Sequence, residues 1–243
     1  MHDRKVVLDG CVNKTAIIIG ASSGIGLALA RDLAGRGYRL GIAARRGELL
    51  EKYAAEEPRV AGWKVLDLTK EDAGEVFDTL VAELGGVDVV YLSSGVGHLN
   101  PDLEWEPEAE TIAINVNGFA RLACAAMAHF EKQGRGQLVG ISSVAALRGA
   151  GEAPAYGASK AFVSRYLQSL RFRARKSGKA ITVTDVRPGF VDTAMMKAEK
   201  PFWVASPQKV AEQIVDAVEV GKKVVYVSRR WALIGWLLRH LPE

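Results

Sequence analysis

The chain has 243 residues, of which 49% are apolar, with 32 lysines and arginines against 28 aspartates and glutamates and a formal net charge of +4. That is enough material for a sizeable core, and because the charges are dispersed with no long basic tract, nucleic acid is not an expected partner. Cys11 and Cys124 lie far apart, and neither they nor His2, His98, His129 and His240 follow a ligand spacing, so the reading is reduced thiols in a cytoplasm and no metal.

The opening MHDRKVVLDGCVNK is too polar and interrupted for a secretory signal, and residues 1–13 read as a flexible extension ahead of a domain spanning 14–228. From Thr15 onward, β-branched runs alternate with helical patterns: TAIIIG, YRLGIAA, VAGWKVLDL and VDVVYLSSG, each followed by a helix. The second half continues with a helix near 107–132, GQLVGISS, a helix near 154–177, AITVTDVRPG, a helix after Ser206 and KKVVYVS. The strands are apolar throughout, which suits a parallel sheet covered on both faces. No Pro/Gly/Ser-rich linker divides the chain. The expectation is an α/β fold, Rossmann-like and doubly wound, with seven parallel strands, helices on both faces and a single domain.

GASSGIG follows the first strand and opens the first helix. Gly20, Gly24 and Gly26, with Ser22, Ser23 and Ile25 between them, place free backbone N–H groups and a helix dipole where a pyrophosphate can sit. A simple glycine-rich turn would read the same way in isolation, but the strand and helix context favours a nucleotide. The second strand ends in AARR, where a ribose-binding carboxylate would stand in an NAD site. Arg45 or Arg46 suits a 2′-phosphate instead, so NADP (NADPH) is expected in preference to NAD, the alternative being two solvated arginines. Asp67, followed by Leu68 in LDLT, could accept from an adenine amino group or cap a helix.

YGASK then puts Tyr156 and Lys160 one helical turn apart. Ser143 closes GISS thirteen residues earlier, Asn115 sits in NVNG, and RPGFVDT follows the sixth strand. With these landmarks in order, the chain resembles the short-chain dehydrogenase/reductase family from about Lys14 to Ser228. The resemblance implies a catalytic set of Asn115, Ser143, Tyr156 and Lys160. It also implies nucleotide contacts from Ser93, Gly95, Tyr156, Lys160, Pro188, Gly189, Val191 and Thr193, and a homodimer or homotetramer through the helices near 107–132 and 154–177. One departure is LSSG, Leu92 to Gly95, where the family usually has Asn-Asn-Ala-Gly.

The chemistry expected is hydride exchange between a nicotinamide and a small carbonyl or alcohol substrate, matched by proton transfer at oxygen. Tyr156 would carry the proton, its phenol drawn from ~10 toward ~7 by the Lys160 ammonium and the oxidised nicotinamide. Ser143 would bond the substrate oxygen, and Asn115 would hold a water through its helix backbone. Two alternatives stand beside this: a nucleotide-sensing binding protein without turnover, and a 3-oxoacyl-carrier-protein reductase using Arg171, Arg173, Arg175 and Lys176 to attract an acidic carrier.

Between Thr193 and Ser206, AMMKAEKPFWVA reads as a substrate lid in which Met195 and Trp203 favour hydrophobic substrates, or as a seal on the core. His98 is a further substrate-side candidate, or an ordinary loop residue. The tail 229–243, RRWALIGWLLRHLPE, is far shorter than the ~20 residues that cross a bilayer. As an apolar helix it must pack on a partner subunit, fold over the site, or touch a membrane peripherally through residues 229–241.

Overall fold

Period-two burial explains the first strand. In the computed structural model, which describes residues 14–149, 151–196 and 201–240, strand β1 (Thr15–Ile19) sends Ala16 and Ile18 into one core and Ile17 and Ile19 into the other. The extension expected over 1–13, residues 197–200 of the expected lid and residues 241–243 of the tail lie outside the described residues.

The elements follow in chain order as α1 (Gly24–Gly35), β2 (Arg39–Ala44), α2 (Gly47–Glu56), β3 (Val60–Val65), α3 (Ala73–Leu84), β4 (Val89–Leu92) and α4 (Trp105–Ile112). They continue as α5 (Phe119–Gln133), β5 (Arg135–Ile141), α6 (Pro154–Ser177), β6 (Ala180–Pro188), α7 (Pro207–Glu219), β7 (Val224–Val227) and α8 (Trp231–His240). The strands form one parallel sheet in the order β3-β2-β1-β4-β5-β6-β7, as the apolar runs predict. Leu29 and Leu33 of α1, Leu50 of α2 and Ile214 of α7 cover one face; Phe77 of α3, Phe130 of α5 and Leu167 of α6 cover the other.

This order puts the topological switch between β1 and β4, where successive connections leave in opposite directions and open a crevice at the carboxyl ends of the strands. The helix expected near 107–132 is longer and less regular than its pattern suggests. It runs from α4 through a π-helical stretch, Ala113–Gly118, into α5, with the Phe119 N–H donating back to the Ile114 carbonyl. The run is long and apolar enough to cross a membrane, but Leu122, Ala126 and Phe130 are buried in the core, so it serves as a core helix.

Of the three placements considered for the tail, the structure shows one face of α8 folded over its own chain. Trp231 is buried among Phe190, Phe202 and Trp203, and Gly235 sits against Tyr226 and Leu147. Leu233, Trp236 and Leu237 stay exposed on the opposite side.

Candidate active site

The turn after β1 is shaped by glycines whose side chains have nowhere to go. Gly20 has φ +94, and a Cβ there would lie 2.6 Å from the Ser94 backbone nitrogen. A Cβ on Gly26 would lie 2.1 Å from the Gly20 carbonyl oxygen, so helix and strand can approach only without it. Gly24 faces Thr193, which brings the last residue of RPGFVDT to the glycine-rich loop. Val191 is buried and bridges to Ala205, anchoring that loop, and Pro188 and Gly189 lead into it at the end of β6.

Arg46 lies over this turn. Its Nη2 donates to the hydroxyls of Ser22 (2.9 Å) and Ser23 (2.5 Å), so a cation already rests on the two serines of the glycine-rich turn. Arg45 is more exposed and lies 3.7 Å from Glu110, whose other oxygen is 2.9 Å from His98 Nε2. His98 is thus placed beside a carboxylate. Ile25 is half-buried at the head of α1, Leu68 is buried against Gly118, and Ser93 continues the ladder by donating to the Ile19 carbonyl.

Asp67 is not the cap of α3, which begins at Ala73. Its Oδ1 accepts the backbone N–H and the hydroxyl of Thr69, and those two bonds hold its carboxyl below the usual range. It therefore shapes a local turn after β3.

At the other end, side chains from α6, the π-helical stretch and the turn after β5 converge. Lys160 is 5% exposed and turned inward: its Nζ donates to the Ile141 carbonyl at 3.1 Å and lies 5.8 Å from the centre of the Tyr156 ring. A Cβ on Gly95 would meet both Asn115 Oδ1 (3.1 Å) and Lys160 Nζ (3.2 Å), and one on Gly97 would meet the Tyr156 ring at 2.9 Å. The loop after β4 can cross the site only because these two residues lack side chains. Asn115 pins that loop: its Nδ2 donates to the Val96 carbonyl and to Ser159 Oγ, and its Oδ1 accepts the Val96 N–H. Its side-chain amide is spent on structure.

Ser143 ends the strand-to-turn passage at the carboxyl end of β5 in extended conformation, accepts the Ala145 N–H and hydrogen-bonds to Tyr156. Burial holds the Tyr156 phenol above its ordinary value and the Ser143 hydrogen bond only partly offsets it; Lys160 does not by itself bring the phenol down. The ammonium carries a burden of its own, since burial draws Lys160 down to about 8 while Asp185 opposes the fall.

Phe202 and Trp203 pack with Trp231, so part of the expected lid is a seal, while Met195 and the outer part of Trp203 remain exposed. Two of the four cations considered for an acidic carrier have partners within the chain, while Arg175 and Lys176 are exposed. Arg171 donates to the Lys223 carbonyl and Arg173 is doubly bonded to Glu131. A cavity of about 810 Å³ lined by Thr15, Arg39, Arg59 and Arg135 lies at the amino ends of the strands, away from all these groups, and Arg39 and Arg59 are bonded to carbonyls there.

A family model described as short chain dehydrogenase matches residues 14–202. The chain belongs to the short-chain dehydrogenase family. An uncharacterized oxidoreductase of Myxococcus xanthus is 40% identical to this short-chain dehydrogenase over 232 residues, covering 90% of this chain and 88% of that protein. An alcohol dehydrogenase of the archaeon Thermococcus sibiricus, solved with 5-hydroxy-NADP, superposes with a TM-score of 0.78 at 28% identity over 88% of this chain and 95% of that one. A short-chain dehydrogenase/reductase of Burkholderia phymatum solved with NAD shares the fold, with a TM-score of 0.82 at 20% identity over 93% and 92% of the two chains. This short-chain dehydrogenase is an oxidoreductase with solved neighbours that hold NAD(P)-type nucleotides.

Sequence reasoning missed several polar groups beneath the site. Ser159, Ser142, Asp185 and Arg187 are all buried and bonded into it. Two charged residues inside the strand run TVTDVRPG were the available signal, because an otherwise apolar buried strand has no use for them unless they are paired.

Proposed function

We propose that the chain interconverts a small, hydrophobic carbonyl compound and its alcohol with NADP(H), Tyr156 acting as general acid in reduction and general base in oxidation. The observation that supports this reading is the inward-turned Lys160 Nζ, which lies beside the Tyr156 ring and beneath the Gly95 loop. A buried ammonium there is costly and gives nothing to a purely structural helix face.

The nucleotide would be held by the backbone of Gly20 to Gly26, by Arg46 and Arg45 at the 2′-phosphate end, and by Val191 and Thr193 at the opposite end. The glycines let the turn close tightly between β1 and α1, and Arg46 already rests on Ser22 and Ser23. When bound, the reduced nicotinamide supplies the hydride. Ser143 donates to the substrate oxygen and steadies the charge growing on it, while Tyr156 delivers the proton to that oxygen. Lys160 stabilises the phenolate left behind, and the π-helical stretch at Asn115 offers a site for the water that returns the proton. Met195 and Trp203 favour apolar substrates.

The test is loss of reduced-nicotinamide absorbance from NADPH against a panel of hydrophobic ketones and aldehydes. Tyr156→Phe is expected to bind NADPH as the parent does and to lose turnover by roughly 10²–10⁴-fold, the scale of a positioned acid. Undiminished turnover in that variant would retire the proton-donor role. Tight NADPH binding with no oxidation by any compound would instead identify a nucleotide sensor.

A further inference from the structure

On β6 the residues facing α6 run Val183, Asp185, Arg187, and only the first follows the apolar pattern of a covered strand. Asp185 is 0% exposed and Arg187 is 7% exposed. The carboxylate collects four contacts from three residues: Ser142 Oγ donates to Oδ1, while Ser164 Oγ (2.7 Å) and the Arg187 Nε (2.8 Å) and Nη2 (2.7 Å) groups reach Oδ2. Arg187 also donates to Ser164 Oγ at 2.6 Å and to the Tyr226 hydroxyl at 3.0 Å.

These partners are not scattered. Ser142 directly precedes Ser143. Ser164 is the next step, at four-residue spacing, in the row Tyr156, Lys160, Ser164 along one face of α6. A single carboxylate therefore ties the end of β5, which carries Ser143, to the helix that carries Tyr156 and Lys160. A buried ion pair is poor value as a stabiliser, since well-packed apolar side chains of the same volume commonly do as well.

We propose that Asp185 and Arg187 are a buried charge pair that positions the acid–base machinery, fixing Ser143 through Ser142 and α6 through Ser164, and setting the electrostatic surroundings of Lys160. The inference rests on the reading of Tyr156 and Lys160 as the proton-transfer pair. The charged and titratable groups about Lys160 are Tyr156 on its own helix and Asp185 with its partner Arg187 on β6. The end of β5, the loop after β4 and the π-helical stretch present the neutral Ile141 carbonyl, Gly95 and Asn115. The aspartate favours the ammonium form and the arginine tempers it.

The experiment follows the Lys160 side-chain carbon signal by NMR across pH in the full-length chain with ¹³C-labelled lysine, the signal being assigned by its loss in Lys160→Met. Asp185→Asn is expected to move the Lys160 titration down by about one unit, the scale of an opposite charge several ångström away in an interior. Arg187→Gln is expected to move it up, and Arg187→Lys to return it toward the parent. General loosening would let water reach Lys160 and move the titration up in every variant, so an upward shift in Asp185→Asn overturns the proposal, as does an unmoved titration. Should Asp185→Asn fail to fold, the arginine pair decides: an upward shift that Arg187→Lys does not reverse overturns the idea. The titration needs no turnover. A chain without activity would therefore sink the proposed function while leaving this inference separately decided.

Discussion

The glycine-rich turn after β1 and the polar row on α6 sit along the same edge of the sheet, yet they are made of different material. The turn is backbone: its glycines matter for what they lack, and its polar groups are main-chain N–H groups at the head of α1. The α6 row is side chains, and each depends on a partner far away in sequence. Lys160 needs the Ile141 carbonyl, and Ser164 needs Asp185. Backbone sites tolerate little change in shape but carry no internal charge. Side-chain sites store charge in the interior at a cost in stability, and their properties are set by whatever packs around them.

That contrast can be broken first at the turn. Gly26→Val puts side-chain carbons against the Gly20 carbonyl oxygen, where a Cβ alone would stand at 2.1 Å. It is expected to abolish nucleotide binding by calorimetry and to cost about 4 kcal/mol in urea unfolding, the range of severe backbone clashes. A variant with parental affinity and stability would show that the turn is more yielding than its geometry states.

The second test asks whether the α6 row is held against stability. An unfolded lysine keeps its proton to its ordinary value of 10.5, whereas folded Lys160 releases it near 8. Between those values the unfolded chain binds more protons, so stability rises with pH across that window, and below about pH 8 the folded state bears the full penalty. Lys160→Met is expected to be more stable than the parent by about 3 kcal/mol at pH 7. The gap should narrow between pH 8 and 10, while turnover is lost. Urea titrations at pH 7 and 9.5 read this directly, and a variant less stable than the parent at pH 7 would mean that the Ile141 bond outweighs the burial of charge.

The smallest effect belongs to Arg45 and Arg46 beside the glycine-rich turn. Arg45→Asp with Arg46→Ala is expected to weaken NADPH by roughly 10- to 100-fold, the worth of one or two charge-assisted hydrogen bonds, and to leave NADH nearly unchanged. Equal losses for both nucleotides would mean that Arg46 serves only to brace Ser22 and Ser23.

The same contrast explains what could be read before folding was considered. The parallel sheet, the loop at Gly20 to Gly26 and the helix carrying Tyr156 and Lys160 all rest on local order: runs of β-branched residues, glycines at fixed offsets and a four-residue spacing. The fate of the α6 arginines was not legible, because the Lys223 carbonyl that takes Arg171 and the Glu131 that takes Arg173 are 52 and 42 residues away. Asp67 shows the limit at short range. Its neighbours permit either a helix cap or a turn, and only the start of α3 at Ala73 separates the two.

From its residues alone this protein determined its architecture, its family and the identity of the groups that meet at the crevice, because period, spacing and glycine placement are properties of neighbours in the chain. Only the tertiary structure decided the condition of those groups: a phenol raised by burial, an ammonium drawn down to about 8, and an aspartate and arginine sealed beneath them. Desolvation and Coulomb interaction depend on who stands nearby in space, and β5, β6 and α6 come together only when the sheet closes.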